Sequence, residues 1–483
     1  MRFSYILSEN EVMIKSKFIQ IFYGLNPKEK VGFNKMVQSP FFNKQESVIR
    51  LMNYLYPLDL YKNRKMFDRT KMFKAVFEHQ SYKLSKLRHV MSDLTQLLEE
   101  YLVINYRKTK KIDYYLDLSK ALKLRNHDGL SQQTLKKVEK MQNDNPLRDI
   151  HYLKQNFCIE QTKYLQSLVK RSNDQYLQTL NDSFDNYCIA EKLKHSCRIL
   201  SHQGMHLQNY DMGLLTKVIE YVNTHSKVLE NPTILLYYYY YRAVTSSGDG
   251  TKYFKIFKEQ LFLSQQHFEK KEMRDLYILA TNYCIKGLNN DPKSFFLTEI
   301  YDLYKEALQI GALLENGMLS PFAYSNIVSV ALNLDHKEWT WDFIHQYQNK
   351  LAVKNKKPYL DLNLSKWYFE EGNYEKAAEL IESEPFEDLH LNLSAKMLLL
   401  KIYYYLDEFD LLDALFNRFQ TYLSRQKTLS YHKDNYKNII RFTRRLVAIN
   451  PFSEKTKIKL REDILSAEIL TERSWLLQEL NKI

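Results

Sequence analysis

Residues 360–385 read LDLNLSKWYFEEGNYEKAAELIESEP, and the fold turns on how they are read. Leu364 and Tyr368 stand four residues apart, which places them on one face of a helix. Gly372-Asn373 makes a turn, because glycine takes the left-handed backbone that commonly ends a helix. Tyr374 and Ala377 open a second helix, Ile381 continues its apolar face, and Pro385 follows its end. The small side chain of Ala377 lets the two helices approach closely, and the aromatic rings fill the space beside it. The stretch therefore predicts a helical hairpin.

The pattern recurs. At a spacing of 35, Leu399, Leu400, Tyr403, Phe409, Leu412 and Phe416 take the places of Leu364, Ser365, Tyr368, Tyr374, Ala377 and Ile381. Here Asp407 stands where the first unit has its glycine. Upstream, a shift of 34 aligns Ile327, Val330, Ala331 and Leu334 with the first helix, while Trp339-Thr340-Trp341 fits the second helix less well. An aromatic, a Gly-Asn-Tyr turn, an alanine and a closing proline at this period resemble the tetratricopeptide repeat, whose period is about 34. The resemblance implies an all-α chain, an α-solenoid of antiparallel helix pairs whose concave groove binds a segment of a protein partner. The whole chain is also similar to a family of helical proteins from Bacteroidota, through SPFFNK at 39–44, KLRHVMSDLTQLLEEYL at 86–102 and ERSWLLQEL at 472–480. That resemblance implies no activity.

Composition agrees with a helical chain. In 483 residues there are only 11 Gly and 10 Pro, too few turn formers for a sandwich or barrel. Hydrophobic residues make up 45%, enough to pack a core. Abundant Tyr, Phe, Lys and Asn resemble the usage of an AT-rich bacterial genome. The N-terminus lacks a basic start followed by an apolar run, so no signal peptide is expected. No apolar stretch nears the ~18 residues of a membrane span. Cys158, Cys188, Cys197 and Cys284 form no CxxC and sit in helical segments, which points to reduced core thiols and a cytoplasmic protein.

Charge is uneven. The net charge is +13, and residues 1–150 hold 28 Lys+Arg against 16 Asp+Glu. The densest stretch carries Lys62, Arg64, Lys65, Arg69, Lys71, Lys74, Lys83, Lys86 and Arg88 against only Asp68 and Glu78. A second cluster is Arg107, Lys108, Lys110 and Lys111. Such a surface attracts polyanions by releasing their counterions, so nucleic acid is a candidate partner beside an acidic protein or a plain solvated face. Residues 67–103 add a helix-turn-helix outline, with Lys83, Lys86 and Arg88 near the start of its second helix. A β-hairpin wing at 102–115, or a helix break there, would follow. Asn26-Pro27 predicts a helix start, and Asn43 is placed to cap the next helix.

These readings divide the chain into four parts. Residues 1–110 form a small basic helical module, 111–320 a helical-pair region of degenerate repeats, 321–425 the tetratricopeptide-like repeats, and 426–483 capping helices. Chemistry-bearing motifs are missing. HExxH, GxSxG, GxGxxG, EF-hand loops and paired CxxC do not occur, so no catalytic, cofactor-binding or metal-binding residue is assigned and no enzyme is expected. His195, Cys197, His202 and His206 in HSCRILSHQGMH include one i,i+4 histidine pair, yet no carboxylate completes a metal set. Five tyrosines at 237–241 face every side of a helix, so some must pack in the core. The expectation is a non-enzymatic scaffold or adaptor, and the alternative is a nucleic-acid-associated regulator that uses the basic N-terminal helices.

Overall fold

The computed structural model describes residues 14–60, 62–167, 175–205, 209–290, 295–382, 386, 388–426 and 430–483. Among them the chain is all-helical apart from one two-stranded hairpin. It divides into two compact units. The first holds the described residues up to 146 together with 150–188, and the second holds 147–149 with 189–483.

The first unit contains α1 (Lys17–Gly24), α2 (Pro27–Val37), α3 (Glu46–Leu55), α4 (Arg69–Val76), α5 (Leu84–Thr109), α6 (Lys111–Lys123), α7 (Asp128–Asn143), α8 (Ile150–Ser167) and the start of α9 (Gln175–Met205). Helices α1 to α4 pack on α5 and bury one apolar cluster against its stripe of Leu87, Met91, Leu94, Leu98 and Tyr101. A second cluster joins α6, α7 and α8 through Ile112, Leu116, Leu135, Val138 and Ile159. The expected start at Asn26-Pro27 is a full capping box: Asn26 Oδ1 accepts from the Glu29 amide, and the Glu29 carboxylate accepts from the Asn26 amide, both at 2.9 Å. Asn43 departs from expectation. Buried, it donates to the Val37 carbonyl at the end of α2 and accepts from the Gln45 amide, and α3 begins at Glu46 without a side-chain cap. The wing at 102–115 is absent, because α5 runs to Thr109 and α6 starts at Lys111.

The second unit continues with α10 (Leu215–Thr224), α11 (Pro232–Thr245), α12 (Gly250–Leu263), α13 (Lys270–Asn290) and α14 (Phe296–Gln309). Strands β1 (Leu314–Glu315) and β2 (Met318–Leu319) pair antiparallel around Asn316-Gly317, both at positive φ, the turn that Asn-Gly favours. Then come α15 (Pro321–Asn333), α16 (Lys337–Tyr347), α17 (Val353–Glu370), α18 (Tyr374–Glu382), α19 (Leu389–Tyr405), α20 (Phe409–Arg425), α21 (Ser430–Val447), α22 (Glu454–Ser466) and α23 (Arg473–Lys482). Each of α15 to α20 packs on the next, and α15, α17 and α19 also touch in sequence.

One hairpin frame recurs. At Asn126, Gly311, Asp335, Gly372 and Asp407 the chain takes positive φ and closes the same two bonds. At Gly372 these run from the Asn373 amide to the Tyr368 carbonyl (2.9 Å) and from the Gly372 amide to the Phe369 carbonyl (3.0 Å), the Schellman end of a helix. Around four of these turns, the residues seven before and five after are both sealed in the hairpin. They are Ser119 with Ser131, Val328 with Thr340, Ser365 with Ala377, and Leu400 with Leu412, none more than 1% exposed. Ser365 donates to the Ala377 carbonyl at 2.6 Å, and Ser119 and Ser131 donate to each other's carbonyls at 3.0 and 2.7 Å. The 321–347 hairpin therefore matches 353–382 at a shift of 37, not 34. Apolar periodicity tolerates that slip, since three residues rotate a helix position by only about 60° from its starting face; the turn sets the register.

Candidate functional site

The basic residues come first. Lys62, Lys65, Lys71, Lys74, Lys83, Lys86 and Arg88 are exposed, Arg69 is partly buried, and Arg64 begins a short 3-10 turn. Lys71 Nζ donates to the Lys65 backbone carbonyl at 3.3 Å beside the N-terminus of α4, where Asp68 caps the Thr70 and Lys71 amides. Lys86 Nζ donates to Gln80 at 2.7 Å. No carboxylate pairs with these residues among the described side chains. The 107–111 cluster differs. Arg107 is ion-paired with Asp117, whereas Lys108, Lys110 and Lys111 have no acidic partner among the described residues. Lys86 and Arg88 of the first cluster and Arg107 and Lys108 of the second occupy opposite ends of α5. Nineteen residues separate Arg88 from Arg107, about 28 Å at 1.5 Å per residue, so they form no single patch.

The histidine cluster does not assemble. Cys197 is fully buried and donates to the Tyr237 carbonyl, and burial pushes its thiol well above the usual range. His195 lies on the surface 3.4 Å from Glu191, His202 meets Tyr210, and His206 lies outside the described residues. Among the described residues no three His, Cys, Asp or Glu side chains converge on one point. In the tyrosine run, Tyr237, Tyr238 and Tyr240 are buried, and the Tyr237 hydroxyl donates to Glu272 at 2.9 Å.

Most of the repeat residues are buried or half-buried. Ala377 is sealed, Tyr403 and Phe416 are buried, Leu364 and Tyr368 are half-buried, and Gly372 has φ +76°. Tyr374 stacks on Tyr405 of the next pair at 4.9 Å. Phe409 is the exception at 45% exposed. It starts α20 beyond the end of α19, and among the described residues no ring covers it as Tyr405 covers Tyr374. Pro385 lies outside the described residues.

Two features of the second unit were not legible in the sequence. The first is a cavity of about 400 Å³ bounded by α13, α14, the β-hairpin and α15. Its α13 wall is one helical face, Arg274, Tyr277, Ile278, Thr281, Asn282 and Ile285. Leu303, Tyr304 and Ala307 form the floor, and Ala323 and Asn326 form the α15 wall. Ile278, Ile285 and Met318 stay exposed at its rim. Arg274 ties the hairpin to α13 through Glu315 at 2.8 Å and holds that carboxyl below its usual range. Burial pushes the Tyr304 hydroxyl up to about 12.

The second feature is Lys366. Its ammonium points from α17 to α15 and donates to Ser325 Oγ at 2.8 Å and Ser329 Oγ at 3.0 Å. Those hydroxyls spend their own hydrogens elsewhere, Ser325 on Asn363 Oδ1 (3.2 Å) and Ser329 on the Ser325 carbonyl (3.0 Å). A lysine acts as base toward a serine only by accepting its hydrogen, so this trio is set to hold a cation rather than to activate a nucleophile. The third N–H of Lys366 has no partner among the described residues, and no described carboxylate offsets the partial burial of this side chain, which draws the pKa down to about 8. One unit along, at the spacing of 35, Lys401 meets Glu472 at 2.5 Å. The signal in the sequence was faint: Ser325 and Ser329 at i,i+4, and a lysine among core positions of the first hairpin.

Helix α15 carries both features. Asn326 faces the cavity and Ser329 faces Lys366; the two positions are about 60° apart around the helix, with the half-exposed Phe322 on the same side. In comparisons of the chain with protein-family models, curated proteins and solved structures, nothing matches. No described helix is long and apolar enough to cross a membrane.

Proposed function

We propose that this protein is a non-enzymatic, cytoplasmic scaffold of tetratricopeptide-like helix pairs, stacked as a solenoid, whose groove binds a segment of a protein partner. The observation that carries the reading is the apolar cavity beside α15, open at a rim of exposed Ile278, Ile285 and Met318. A cavity of that size has ample room for a large apolar side chain, and anchors of this kind dominate peptide recognition. The recurring hairpin frame supports the repeat reading, and the four free thiols suit a reducing compartment. The test is affinity capture from host lysate with wild type and with Ala323→Phe, which fills the cavity from its α15 wall. Proteins held by wild type should be lost from the variant. Equal capture by both, with the variant folded, would sink the reading.

A second reading is favoured by the unpaired lysines of the first unit: a regulator that contacts nucleic acid through its basic N-terminal helices. It requires salt-sensitive binding to short duplex or single-stranded probes that is lost on deleting residues 1–150. Salt-independent binding, or none, excludes it.

A further inference from the structure

Resting on the groove reading, we infer that the bound segment carries a side-chain carboxylate, Asp or Glu, that docks on Lys366, about two residues from the apolar side chain that fills the cavity. Three observations converge. Lys366 is a part-buried charged group between α15 and α17, with one N–H and its charge unpartnered among the described residues. Such a charge is costly unless something pairs with it. The equivalent lysine one unit along shows what is missing, because Lys401 has its carboxylate supplied within the chain by Glu472. Finally, Ser325 and Ser329 hold the ammonium by neutral hydroxyls alone, with Ser325 in turn donating to Asn363, which positions the charge without cancelling it.

The spacing follows from α15. Asn326 at the cavity and Ser329 at Lys366 lie about 60° apart around this helix and about 4.5 Å apart along it. At a side-chain radius of about 5–6 Å the two positions stand roughly 7 Å apart, and extended chain advances about 3.3 Å per residue. A segment laid across α15 therefore sets its apolar anchor and its acid about two residues apart.

Full-length protein and Lys366→Met would each select from a random octapeptide library flanked on both sides by fixed sequence, so that no terminal carboxylate is offered. Wild type should enrich an aliphatic or aromatic residue about two positions from Asp or Glu; the variant should enrich the apolar position alone. In a selected peptide, Glu→Gln should weaken binding to wild type at least about tenfold, the worth of one charge-assisted hydrogen bond, and leave binding to the variant unchanged. Thermal unfolding checks that Lys366→Met is folded, which removing a buried charge favours. Enriched peptides without an acid, or an acid preference that persists in Lys366→Met, would overturn the carboxylate site and leave the groove reading standing. If wild type enriches nothing, both fall.

Discussion

Lys366 shows how one side chain can carry a cost that its neighbours do not repay. Its folded-state pKa, about 8, lies below its ordinary 10.5. Between those values the unfolded chain binds the proton and the folded chain does not, so stability should rise as pH climbs through that window. Below pH 8 the penalty is fully present. At 1.36 kcal/mol per unit it is of order 3 kcal/mol. Lys366→Met should therefore raise stability at pH 7 by up to about 3 kcal/mol and flatten the dependence between pH 8 and 10. Urea titrations of both proteins at pH 7 and 9.5 would check it, and a variant less stable than wild type at pH 7 would contradict the burial of an unpaired charge. None of this was readable from a lysine in a run of helix. Only the approach of α15 shows that Ser325 and Ser329, and no acid, surround it.

At the scale of the element, the helical hairpin is set by its turn more than by its apolar stripe. Gly372 sits at φ +76°, and Asp407 takes φ +57° in the same Schellman turn. A side chain there pays the left-handed penalty that glycine avoids. Gly372→Ala should cost about 1 kcal/mol and Asp407→Gly should gain a similar amount, both measured by urea unfolding. The sealed pair inside the hairpin is equally specific. Ala377→Leu would push α17 and α18 apart at Ser365 and should cost about 1–3 kcal/mol. Ser365→Leu should behave alike. The glycine turn at 372 and the alanine at 377 were legible in sequence, and so was their echo at Asp407 and Leu412. The matching hairpin at 111–143 was not, because Asn126 and two serines do the work of Gly372 and Ala377 without looking like them.

Across the whole molecule, charge and cavity lie in different compact units. The basic residues belong to the first, where α5 separates Lys86 and Arg88 from Lys108 and Lys111 by more than twice the Debye length of about 10 Å at 0.1 M salt. If the nucleic-acid reading holds, neutralising Lys86 and Arg88 should reduce the salt slope of binding, and neutralising Lys108 and Lys111 should reduce it again by an independent amount. Anisotropy titrations from 50 to 200 mM salt, the range over which such contacts are strongly screened, would show this. A slope unmoved by either pair would mean that these lysines are a solvated face.

The sequence by itself determined that the chain is helical, where its hairpin at 360–385 turns, and how its charge is distributed. Those properties depend on residues near one another along the chain: periodicity, glycine at a left-handed turn, and local composition. Tertiary structure decided the register of the 321–347 hairpin, the exposure of Phe409, the bond of Asn43 to the Val37 carbonyl, and the site at Lys366. Each depends on what a residue meets from a helix distant in sequence, and burial, pairing and desolvation have no value until that neighbour is in place.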